Sequence, residues 1–557
     1  MQQRSVEKRV ARSGRATRID RTTRLAVISL LMLLVLAVRL HYYSGPIFAN
    51  TQDEGIYLDS YASAIIFHNP VTFAQYRNAN LSNISGCLCN PADIFQFYVG
   101  FSYPEMLLLA LSGFSAAVAI YYVIFTSLIE GLFIFLVLEK VSGTRAGAIG
   151  LALFAFLPAD VLFATHVQPL VPAMMFVTIG AYAFVVAFER KRPEYYAAAG
   201  FFSGLAYITN PVGALLAIFI AAALTVRMLL GMVNLRRYAF MLALFAAGFL
   251  AAYAIIGTVF LAESGNFLLY PSVTHAVYLY EEATQPISAH CMSNICLDYV
   301  TGYPQYYLRI LAGLPTGIDT YIKYYGIGFY IFVAAAAFMF FTRRNRWGVM
   351  FVAMFGFYLA CIMLFPANIH FGNGTLTYYP IDEQPYVATI LTLPLITVTA
   401  LALDRLAGSG KRLIVVAAAV LLIAIIASDI IVLNSDIVYY RDSVYTLHAF
   451  VGYVESHPGV YYANSLFASE ANLLSGYRYN IESLGNCTES YISRLPDNAS
   501  IVIGGTVSLD ISPQYTQGFD KCVSGNMTGY SVEDRIENPL GSVSGMYGPE
   551  LDVYGKS

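Results

Sequence analysis

The chain has 557 residues, 57% of them hydrophobic and only 12% charged, with a formal net charge of −3 and a mean hydropathy of +0.60. Soluble domains carry about 25% charged residues, so this composition excludes a protein that faces water along most of its length. What remains is a polytopic membrane protein, mainly α-helical.

A helix needs about 20 apolar residues to cross the hydrocarbon core, because lipid offers the backbone no hydrogen-bond partners. On that criterion eleven spans are expected, near 25–43, 115–138, 145–163, 170–188, 194–209, 212–231, 238–262, 325–342, 347–366, 387–405 and 412–433. The fifth is short, and Asn210-Pro211 blurs its end. The basic tail from Arg4 to Arg24 reads as a topogenic signal rather than a nucleic-acid contact, and no cleavage site of the A-x-A type follows the first span.

Lysine and arginine in short loops set the direction of insertion. The tail and the alternate loops hold 22 of the 32 basic residues, which assigns that face to the cytoplasm. An odd number of spans then leaves residues 434–557 on the opposite side. Two independent signals agree. All six Asn-x-Ser/Thr sequons, at Asn80, Asn83, Asn373, Asn486, Asn498 and Asn526, fall in segments assigned outside. So do six of the seven cysteines, Cys87, Cys89, Cys291, Cys296, Cys487 and Cys522. The pattern suits an archaeal cell exterior or an ER lumen, with the archaeal membrane expected.

Three external segments are large, 44–114, 263–324 and 434–557, and a shorter one covers 367–386. A carrier would place its polar residues within the spans, whereas here only Arg39, Glu130 and Asp429 are expected inside them. Arg39 and Asp429 are expected to reach the interface by snorkelling. Glu130 reads either as a packed structural acid or as part of an internal polar path. The chemistry is therefore expected outside, and Asp53-Glu54 stands close to the membrane surface at the start of the first loop. Such a carboxylate acts as a general base towards a hydroxyl, as a ligand for a hard divalent cation such as Mg or Mn, or as a helix-start acid. No metal site is assigned.

The layout from Arg24 to about residue 230 resembles the GT-C superfamily of membrane glycosyltransferases. The nearest look-alikes are the dolichyl-phosphate-mannose–protein mannosyltransferases and the lipid A aminoarabinose transferases (family 39). Asp53-Glu54 followed by Tyr57 and Tyr61-Ala62 resembles that group's first-loop acid and aromatic helix. Tyr103-Pro104-Glu105-Met106 is similar to its His/Tyr-Pro-Pro-Leu element. Leu157-Pro158-Ala159 and His166-Val167-Gln168-Pro169 resemble its helix-end proline and polar turn. Gly204-Leu205-Ala206-Tyr207-Ile208-Thr209 resembles its Gly-Leu-Ala-x-Leu-Thr segment.

Two departures stand beside these matches. Asn210 replaces the lysine that commonly follows Leu-Thr, and Asp382-Glu383-Gln384-Pro385-Tyr386 lacks the arginine many members carry there. The Trp-Trp-Asp signature of oligosaccharyltransferases is missing, since Trp347 is the single tryptophan.

The resemblance implies a glycosyltransferase that moves a sugar, with inversion, from a polyprenyl- or dolichyl-phosphate donor to an acceptor hydroxyl outside the membrane. The acceptor is a glycan, lipid or protein. Asp53 and Glu54 are the catalytic candidates, with Tyr57, Glu105, His166, Gln168, Arg309 and Lys323 on the substrate side. The alternatives are a non-enzymatic transporter or glycoprotein assembly factor, and an inactive member of the superfamily.

Composition shifts towards Ser, Asn, Gly and Asp after Asn434. Helices near 441–456 and 468–476 and strands near 459–464 and 500–504 predict a small α/β domain. A Cys487–Cys522 disulfide is expected to staple it, and its expected role is to cap the site or select the acceptor.

Overall fold

The computed structural model describes residues 21–43, 58, 61, 99–190, 192–264, 324–341, 346–363, 369–372, 375–378, 385–476, 478–484, 488–503, 522–537 and 550–556. Asp53, Glu54, Tyr57, Arg309, Lys323 and Cys487 lie outside the described residues.

Every expected span is helical. The helices in chain order are α1 (Arg21–Tyr42), then α2 (Val99–Ser112) and α3 (Ala116–Ser142). Next come α4 (Thr144–Phe156), α5 (Pro158–Phe163), α6 (Leu170–Arg190) and α7 (Glu194–Thr209). A 3-10 turn at Pro211–Gly213 leads into α8 (Ala214–Leu229), followed by α9 (Leu235–Ser264). The last are α10 (Tyr324–Phe341), α11 (Arg346–Met363), α12 (Thr392–Ala407) and α13 (Arg412–Ser456). Among the described residues eight helices are long and apolar enough to cross a membrane.

Three expected spans, 145–163, 194–209 and 347–366, fall short of that, the last with its apolar stretch at Arg346–Cys361. The first breaks at Leu157-Pro158 into 13-residue α4 and 6-residue α5, because proline has no N–H to continue the ladder. The second, α7, has 16 residues and is held by close packing. A Cβ at Gly200 would overlap the Phe245 carbonyl of α9, and one at Gly248 would overlap the Ala197 carbonyl. Gly200 and Gly204 are four apart on α7, the spacing that lets helix backbones touch. The apolar α2, with Pro104 inside it, was not expected as a helix and lies within the first external segment.

Arg39 and Asp429 do not snorkel: each is 0% exposed. The bundle interior around Arg39 is polar enough to hold it, as shown below.

α13 runs for 45 residues, roughly 68 Å at 1.5 Å per residue. It passes through the expected boundary at 434 without a break and carries the C-terminal sheet on its far end. That sheet has the order β4-β3-β5-β7-β6. Parallel pairing joins β3 (Val460–Ala463) to β4 (Asn480–Ser483) and β5 (Ala499–Ile503). Antiparallel pairing adds β7 (Glu550–Lys556) and β6 (Tyr530–Glu537). Helix α14 (Ser465–Ser475) packs between sheet and stalk, with Phe467 5.2 Å and Tyr461 5.7 Å from the Phe450 ring of α13. A short hairpin, β1 (Ile369–Gly372) and β2 (Thr375–Tyr378), lies between α11 and α12. Cys522 is disulfide-bonded.

Candidate functional site

The break at Pro158 builds the site. α5 is too short to cross anything and turns the chain into Ala164–Pro169 before α6 begins. That turn winds on one carbonyl. Leu162 O accepts from Thr165 N at 3.2 Å, Thr165 Oγ1 at 2.7 Å and His166 Nδ1 at 2.5 Å. Thr165, His166 and Gln168 are all buried. A carbonyl can only accept, so His166 carries its hydrogen on Nδ1 and, when neutral, presents Nε2 as an acceptor. Burial lowers the imidazole from its ordinary 6.5 to about 4, opposed by the Leu162 hydrogen bond. Burial therefore favours the neutral imidazole.

Beneath the turn lies a charged set. Thr392 Oγ1 donates to Asp160 Oδ2 at 2.7 Å, tying α5 to α12. Arg39 donates from Nη1 to Ala155 O at 2.6 Å, from Nη2 to Phe154 O at 3.2 Å, and from Nε to Ser127 Oγ at 3.3 Å. Its guanidinium lies 4.7 Å from the Phe154 ring centroid. Glu130 and Asp160 are both close enough to interact electrostatically with Arg39 and with each other. Arg39, Glu130 and Asp160 are each at most 1% exposed.

Glu105 has its own neighbours. It is 0% exposed on α2, within reach of the Tyr61 hydroxyl, and Tyr122 of α3 stands nearby. Tyr61, helical and fully buried, sits beside Ser102 and Glu105 of α2. Of the expected site residues, His166 and Gln168 share one turn and Glu105 lies in this second cluster.

At the same end of the bundle, Tyr324 opens α10 with its ring 5.9 Å from Phe163, and the Tyr325 hydroxyl donates to Ala388 O. Asn210, where the family commonly has lysine, caps the 3-10 turn by accepting from Val212 N at 3.0 Å. Its side chain does structural work there.

Asp160 was overlooked in the sequence, although Pro158 two residues before it marked the spot: a proline inside a span exposes backbone that polar groups must satisfy. Among the described residues no three His, Cys, Asp or Glu side chains gather as metal ligands. A polar cavity of about 690 Å³ opens at the opposite, basic-loop end. Its charges pair with one another, Arg145 with Asp404 and Arg346 with Glu189, each at 2.5 Å.

Residues 100–246 match the family model described as dolichyl-phosphate-mannose-protein mannosyltransferase. That stretch holds Glu105, Asp160, His166 and Gln168. No curated protein sequence matches the chain significantly. Among solved structures, the Archaeoglobus fulgidus oligosaccharyltransferase in its apo form aligns with a TM-score of 0.52 at 13% identity, over 97% of this chain and 75% of that one. The same enzyme in complex with Zn and sulfate aligns with a TM-score of 0.50 at 15% identity, over 95% and 73%. ArnT from Cupriavidus metallidurans bound to undecaprenyl phosphate aligns with a TM-score of 0.50 at 12% identity, over 97% of this chain and 99% of that one. At such identities the likeness establishes the fold, which is that of the GT-C membrane glycosyltransferases.

Proposed function

We propose that this GT-C-fold chain is a membrane glycosyltransferase that takes a sugar from a polyprenyl- or dolichyl-phosphate donor and attaches it to an acceptor hydroxyl on the extracytoplasmic side. The observation that carries this reading is the buried polar turn Thr165–Gln168, within the stretch that matches the mannosyltransferase model. ArnT, of the same fold, was crystallised with undecaprenyl phosphate. That supports a polyprenyl-phosphate donor here.

The reaction is one in-line displacement. The Asp53 carboxylate takes the acceptor proton, and the freed oxygen pair bonds to the anomeric carbon. The anomeric C–O bond to phosphate breaks on the far side, and its electron pair leaves with the lipid phosphate. Configuration inverts. The leaving group is an anion and needs electrostatic stabilisation rather than a proton. Neutral His166 is unsuited to that task, so Arg309 and Lys323 are assigned to it. His166 Nε2 accepts from a sugar or acceptor hydroxyl instead, with Gln168 beside it. Glu54 orients the acceptor, and Tyr57 and Glu105 line the substrate side.

The test supplies membranes containing the protein with radiolabelled polyprenyl-phosphate sugar and follows label into glycan, lipid or protein. Asp53→Asn is expected to lower transfer at least 100-fold, the usual scale of a general base. Full transfer by Asp53→Asn removes the mechanism, and no transfer by the wild type removes the function.

A further inference from the structure

Proline at 158 leaves the Phe154 carbonyl, four residues earlier, without its helical donor. α4 therefore ends with carbonyls facing a bundle interior from which water is excluded, and each needs a partner. Arg39 of α1 supplies two, donating to Phe154 O and Ala155 O through separate guanidinium nitrogens. Its third contact, Ser127 Oγ, fixes the fork against α3. Glu130, also on α3, and Asp160, on α5, are the acids within electrostatic reach of it. Among the described residues Glu130 has no hydrogen-bond partner.

The consequence runs along the chain. From the carbonyls held by Arg39, two residues lead to the break and three more to Asp160, anchored on Thr392. Two further residues reach the Leu162 carbonyl, on which Thr165 and His166 are wound. α1 thus sets the position of a turn more than 115 residues away in sequence.

We infer that Arg39 is a positioning residue: by satisfying the carbonyls orphaned at the Leu157-Pro158 break it holds the turn that carries His166 and Gln168 in its working place. Only a planar fork can serve both carbonyls and Ser127 together. Lysine keeps the charge facing Glu130 and Asp160 but offers one compact ammonium. Arg39→Lys therefore separates the fork from the charge, and it spares the fold the unpaired buried acids that Arg39→Met would create.

This inference rests on the proposed transfer for its kinetic consequence but not for its structural one. Two reporters, Val167→Cys in the turn and Ala146→Cys near the other end of α4, are introduced singly; both native side chains are buried. Labelling by a maleimide is compared with Arg39 and with Arg39→Lys in the detergent-purified full chain. The expected result is a rise of at least tenfold in labelling at 167 and less than twofold at 146. General loosening would raise both. In the transfer assay, without reporters, kcat is expected to fall about tenfold with the donor KM within twofold. Unchanged labelling at 167, or equal rises at both positions, overturns the inference. If the wild type transfers no sugar, the proposed function fails while the labelling comparison still decides the role of Arg39.

Discussion

Burial holds the His166 imidazole at about 4, against an ordinary value near 6.5, and this has a thermodynamic sign. Between those values the unfolded chain binds a proton that the folded chain refuses, so stability falls as pH drops through the window. It levels off below about pH 4. The interval corresponds to on the order of 3 kcal/mol. His166→Gln, neutral throughout, should flatten that part of the profile. Thermal unfolding of detergent-purified protein at pH 7 and pH 4.5 measures it. An unchanged difference between the two pH values in His166→Gln would show that other groups titrate instead. The same neutrality moves the phosphate charge away from His166. From sequence alone His166 is simply one of six substrate-side candidates. Its fixed tautomer depends on the Leu162 carbonyl, whose place is set by the break in the helix.

Helices in this bundle are joined by glycine contact as much as by apolar side chains. α7 and α9 approach until a Cβ at Gly200 would occupy the Phe245 carbonyl. Gly200→Ala should therefore force the pair apart and lower the melting temperature in detergent, by the 1–3 kcal/mol typical of overpacking. Gly356, within α11, makes the control, because a Cβ there meets nothing within 4 Å. Gly356→Ala should leave stability unchanged or raise it by about 0.5–1 kcal/mol through helix propensity. Equal losses in both variants would refute the packing argument. The approach explains how α7, only 16 residues long, keeps its place among longer neighbours. Gly200 and Gly204 were visible in the sequence at helix spacing, but which carbonyl each faces was not.

At the scale of the whole molecule, the stalk α13 and two small contacts among the described residues join the C-terminal part to the bundle. Tyr42, the last residue of α1, donates to Asn434 Oδ1 of the stalk at 3.0 Å. Gly476, at φ +64, brings the segment after α14 onto the turn between α2 and α3, where a Cβ would stand 3.3 Å from the Phe114 carbonyl oxygen. Gly476→Val meets both the left-handed backbone, costing about 1–2 kcal/mol, and that carbonyl. It should increase protease cleavage between stalk and sheet while leaving detergent extraction of the bundle unchanged. An unaltered cleavage pattern would mean that the stalk alone seats the sheet. Hydropathy by itself determined the membrane class and every helix of the bundle but α2, since lipid permits few backbone solutions to an apolar run of about 20 residues. Short motifs around Asp53, Pro158 and His166 also pointed to the GT-C fold. The sequence pattern marked β3 and β5 but missed β4, which is four residues long, β6, which is exposed along most of its length, and β7. Only the tertiary structure decided that Arg39 stays inside the bundle. Its partners are backbone carbonyls freed by a proline on another helix, and backbone carbonyls have no sequence signature.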